Sequence, residues 1–91
     1  MAVLTAKEKK QLLQDGYSKA DVTEITICVK NISYTLIANE GTELTIAESE
    51  AKERLGQEEW LKGVARATFF TDTTRDGLSG ERIHIHCKNY L

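Results

Sequence analysis

The chain has no proline and only two cysteines in 91 residues. Nor does any apolar run approach the roughly 18 residues that span a bilayer. With no proline, no low-complexity segment and no internal repeat of solenoid period, linkers and repeat arrays are excluded as organising ideas. Cys28 and Cys87 are too few for the disulfide framework of a small secreted domain. Two reduced thiols are therefore expected, and the Asn31-Ile32-Ser33 sequon is read as accidental. At the N-terminus Leu4 stands beside Lys7, Lys9 and Lys10 without the apolar stretch of a signal peptide, which points to a cytoplasmic protein. Phosphate-cradling glycine loops are missing too, since Gly56, Gly63, Gly77 and Gly80 match neither a P-loop nor a dinucleotide fingerprint.

What is present is the composition of an ordinary folded domain, 41% hydrophobic and 29% charged. A chain of this length has room for one domain, residues 1–91, and buries only about 60–65% of its unfolded surface. Its core is modest, and a deep active-site cavity is not expected.

The pattern predicts an α+β domain of about four helices packed with two short antiparallel hairpins. Thr5 and Glu8 have capping-box spacing ahead of Leu12 and Leu13, with a stop at Asp15-Gly16. Ser18 and Asp21 repeat that signal, but two periods compete in residues 19–30. Val22, Ile25, Val29 and Ile32 step as a helix does, whereas Ile25, Ile27 and Val29 alternate as in a strand. The cap favours the helix. Tyr34, Leu36 and Ala38, a turn at Glu40-Gly41, then Leu44 and Ile46 read as a hairpin.

Thr45 and Glu48 form a third apparent capping box, leading to Ala51, Leu55 and a stop at Gly56. Glu58 and Glu59 open the next helix, whose stripe is Trp60, Leu61, Val64, Ala65 and Thr68. Thr73 to Gly80 reads as a flexible tip, and Ile83, Ile85 and Cys87 alternate with His84, His86 and Lys88 in a returning strand. Tyr90 and Leu91 are expected to cover an edge.

Net charge is −2, unevenly placed. Between Asn39 and Glu59 seven acids face only Lys52 and Arg54, a local balance of −5. Much of this is the chemistry of solvated helix faces, since Glu48–Lys52, Glu50–Arg54 and Glu58–Lys62 are i,i+4 pairs. The sharper alternative is an acidic surface that docks on a basic protein patch, with complementarity supplying on-rate and selectivity. Its candidate contacts are Glu48, Glu50, Glu53, Glu58 and Glu59. Phe69 joins them, because adjacent Phe69 and Phe70 cannot both be buried by one regular element, and an exposed aromatic is the usual anchor of an interface.

Catalytic chemistry is thin. His84-Ile85-His86-Cys87 offers good zinc or copper donors, but a strand turns both histidines to one face and Cys87 to the other. A third ligand has to come from elsewhere, with Cys28 the obvious donor; otherwise this is a solvated strand face, and no metal or cofactor is assigned. The same alternation separates either thiol from an imidazole base. No carboxylate sits in a context that would desolvate it. An enzyme is not expected.

The run Leu55-Gly56-Gln57-Glu58-Glu59-Trp60-Leu61-Lys62-Gly63-Val64-Ala65-Arg66-Ala67, with Tyr34-Thr35-Leu36, Thr45-Ile46 and Gly16-Tyr17-Ser18, resembles small uncharacterised proteins carried by phages and mobile elements of Firmicutes. The resemblance implies context rather than catalytic residues: proteins of that origin often bind and disable a host protein, as anti-CRISPR proteins do. It also implies a helix from Ser18 to Lys30. The resulting expectation is a non-enzymatic protein-binding module, an inhibitor of a host nucleic-acid-handling complex with a basic surface. The alternatives are a metal-responsive regulator using His84 and His86, and a nucleic-acid-binding factor using Lys7, Lys10, Arg66, Arg75 and Arg82. The net charge argues against the last of these.

Overall fold

The computed structural model describes residues 4–70 and 72–88. Two of the expected capping boxes are formed. Helix α1 (Ala6–Gln14) starts where the Thr5 hydroxyl accepts from the Glu8 amide at 3.1 Å, and the Glu8 carboxylate accepts from the Thr5 amide at 2.9 Å. Helix α2 (Lys19–Val29) begins with the same exchange between Ser18 and Asp21. The competition over residues 19–30 is thus resolved as a helix: Val22, Ile25 and Val29 lie on one buried face, and α2 packs against α4. Intrinsic β-propensity yields to a cap and a buried stripe.

Strands β1 (Ile32–Ile37) and β2 (Glu43–Ile46) follow, then α3 (Glu48–Leu55), α4 (Gln57–Phe70), β3 (Asp72–Asp76) and β4 (Arg82–Cys87). Gly56 separates α3 from α4 at φ +86°, left-handed backbone that favours glycine. The two hairpins are not independent. β1 also pairs antiparallel with β4, giving one four-stranded sheet in the order β2-β1-β4-β3. Joining them satisfies the edge groups that two isolated hairpins would leave open.

Three further expectations are corrected. Thr45 caps nothing: it sits in β2 opposite Thr35, and α3 starts after Ala47 with no side-chain cap. Strand pairing to β1 takes the residue that the local spacing assigned to a helix start. The supposed flexible tip is shorter, because Thr73, Thr74 and Arg75 pair with β4 and only a short 3₁₀ turn over Leu78–Gly80 remains. Finally, the cysteines are not two separate thiols. Cys28 near the end of α2 and Cys87 at the end of β4 are joined by a disulfide, with Cα atoms 5.9 Å apart, well inside the span of a disulfide. Tyr90 and Leu91 lie outside the described residues.

The core lies between the helices and one face of the sheet. Trp60, Ile25, Val64, Ile83 and Ile85 are fully buried there, with Tyr34 and Leu36 nearly so. At the crossing of α4 over β4, a Cβ on Gly63 would stand 2.7 Å from the terminal methyl of Ile85, so a larger residue there would have to displace the end of that side chain. The alternate residues of the strands, Ser33, Thr35, Thr74, His84 and His86 among them, form the outer face.

Candidate functional site

The acidic candidates lie on α3 and at the start of α4, and the structure neutralises much of their charge internally. Glu50 accepts from Arg54 at 3.1 Å, and Arg54 also reaches Glu81 at 2.6 Å. The hydrogen bonds from Arg54 to Glu50 and its position beside Glu81 hold the guanidinium pKa above its ordinary value. Glu59 is bound by Arg75 and lies 3.8 Å from Lys62, which pairs with Glu58 at 3.3 Å. Glu48 turns one carboxylate oxygen inward, where it has no hydrogen-bond partner. Glu53 and Glu58 remain the outward acids of the set.

Phe69 is not beside them. Ten residues beyond Glu59 along α4, it stands about 15 Å further up the helix axis at 1.5 Å per residue. There its ring stacks on Tyr17, centroids 6.3 Å apart. Both phenylalanines are exposed, Phe69 at 40% and Phe70 at 66%, and the Arg66 guanidinium lies over the Phe70 ring. The adjacency argument foresaw one exposed ring; the structure exposes both, because the inward stripe of α4 is completed at Ala67 and Thr68. The basic residues weighed as a nucleic-acid surface are dispersed over α1, α4, β3 and β4, and Arg75 is committed to Glu59.

A groove of about 480 Å³ between α1, α3 and α4 is lined in part by Lys7, Glu8, Gln11, Lys52 and Gln57. Its buried acid, Glu8, is fully engaged. It accepts from the Thr5 amide and from the Gln57 side chain, and Lys52 stands 3.7 Å away. Lys52 in turn caps the Trp60 ring at 4.2 Å. Deeper in, the Trp60 indole donates to the Tyr34 hydroxyl at 3.3 Å. Burial raises the Tyr34 pKa, an effect the bond from Trp60 opposes without overcoming. This polar chain supports the core and engages the groove's buried acid from three sides.

On the sheet, alternation places His84 and His86 on the outer face and Cys87 in the core, as the sequence indicates. Cys28 is no third metal donor: it is buried and bonded to Cys87 on the opposite side. The residue that sequence reasoning missed is Asp72, which the β3–β4 register sets opposite His86. No local spacing signals it, since 14 positions separate the two in the chain.

Among the described residues no helix is long and apolar enough to cross a membrane. No protein-family model matches the chain, and none of the curated proteins or solved structures compared with it is a match.

Proposed function

We propose that this chain is a non-enzymatic protein-binding module whose contact surface is centred on the exposed end of α4. The observation that carries the reading is that the chain's only two phenylalanines both face solvent. Burying an aromatic of this size is worth about 1.5–3 kcal/mol, so a small domain that leaves two outside forgoes core stability. Phenylalanine is enriched at interfaces, and the Tyr17 and Arg66 side chains beside these rings are of the types that dominate interface energetics.

The partner is a protein with a basic surface, met by Glu53 and Glu58, the acids not folded inward or tied to arginine. In keeping with the resemblance to mobile-element proteins, we take it to be a host nucleic-acid-handling protein that this chain inhibits. A lasting Cys28–Cys87 bond belongs to an oxidising compartment, whereas in a reducing one the pair exists as two buried thiols.

Capture from host lysate tests the reading. Phe69→Ala/Phe70→Ala and Glu53→Lys/Glu58→Lys variants should each lose the partner that the wild type retains, with unchanged circular dichroism. Capture of the same proteins by all three forms would overturn it.

A further inference from the structure

The outer face of the sheet brings together three metal-donor side chains from two strands. His84 and His86 are two residues apart on β4, so both rings point outward, stacked with centroids 6.2 Å apart and planes 14° from parallel. Asp72 lies across from His86 on β3. Its carboxylate stands 3.7 Å from Nε2 of His84. One donor atom from each residue falls within 4.8 Å of the other two. That Asp72–His84 separation exceeds the hydrogen-bond range of about 2.7–3.2 Å. It is close to the roughly 3.4 Å between two donors of a tetrahedral zinc ion bound at about 2.1 Å.

We propose that Asp72, His84 and His86 bind a divalent transition-metal ion of the zinc class. Two imidazoles and one carboxylate are a nitrogen-rich, borderline donor set, which suits zinc, nickel or copper and not magnesium or calcium, whose sites are built from oxygen. The surroundings orient the first of the rings. Thr74 sits opposite His84 in the register, and its hydroxyl oxygen is 3.5 Å from Nδ1. With Nδ1 on the Thr74 side, Nε2 faces Asp72, and a shortening of the Thr74 contact on metal binding would supply the outer partner that fixes a metal-ligating histidine. Because the helices cover only the other face of the sheet, three protein ligands leave a coordination position open to water or to a donor from another molecule. The site begins two residues beyond the exposed end of α4 but shares no residue with it, and it stands whether or not that surface binds a protein.

Zinc titration of the full chain by calorimetry, with the affinity fixed by competition against a zinc indicator, tests the proposal. The wild type should take up one zinc ion per chain, with magnesium giving no heat. Removal of outer partners typically costs 10–100-fold in metal affinity, so Thr74→Val should weaken binding about tenfold. His84→Ala, His86→Ala and Asp72→Asn, which remove ligands outright, should each weaken it by at least about 100-fold. Circular dichroism should be unchanged in all four, since the positions are on the solvated face. Absence of saturable binding up to about 100 µM zinc, or equal binding by wild type and the histidine variants, would overturn it.

Discussion

Helix α4 begins and ends with aromatic residues, and the two ends behave oppositely. Trp60 in its first turn is fully buried, donates to Tyr34 and lies under Lys52. Phe69 and Phe70 in its last turn project into solvent beside Tyr17 and Arg66. Residue type and helix are shared, so the difference lies in what faces each ring. At the first end the sheet and α3 supply a closed polar and apolar shell; at the last the inward stripe has already run out. Stability is therefore concentrated at Trp60, while the two phenylalanine rings stay largely exposed to solvent.

The sharpest break of this contrast is Trp60→Ala. It should cost about 3–5 kcal/mol, at the upper end because the Tyr34 bond and the lysine contact are lost with the ring. Urea denaturation measures it, and an unchanged midpoint would place Trp60 outside the core.

Reduction asks whether the core as a whole is held by packing alone. The Cys28–Cys87 bond closes a loop with a sequence separation of 59, for which the chain-entropy account gives about 4 kcal/mol. Adding dithiothreitol should lower the denaturation midpoint accordingly. Cys28→Ala/Cys87→Ala, equally destabilised, should be insensitive to the reductant.

Tyr34→Phe is smaller. Leaving the buried Trp60 N–H without its acceptor should cost about 1–2 kcal/mol. Because the folded Tyr34 pKa is raised, its contribution is complete below the ordinary tyrosine value of about 10 and is lost as pH rises through the folded value. Wild-type stability should therefore fall above about pH 10, and the fall should be shallower in Tyr34→Phe. Urea midpoints compared at pH 8 and pH 11 report the difference.

How much of this was legible in the sequence depended on how far apart the interacting residues stand. The Thr5–Glu8 and Ser18–Asp21 boxes, the Trp60 to Thr68 stripe and the alternation of Ile83, Ile85 and Cys87 are local and are present as read. Thr45–Glu48 has the same spacing as the true boxes, yet pairing with β1 claims Thr45. The β1–β4 register, the disulfide and the position of Asp72 beside two histidines depend on chain segments that no periodicity links. The acidic segment was visible as a composition, but Arg75 and Glu81, which neutralise parts of it, come from the distant β3–β4 hairpin.

The smallest expected effect on stability carries the central claim. Phe69→Ala/Phe70→Ala should lower stability by about 1 kcal/mol or less, the range of surface substitutions with one lost ring contact. The decisive measurement is partner capture and urea midpoint on the same double variant. The account predicts capture reduced at least tenfold with the midpoint nearly that of wild type. Undiminished capture, or a midpoint that falls as far as that of Trp60→Ala, would contradict it.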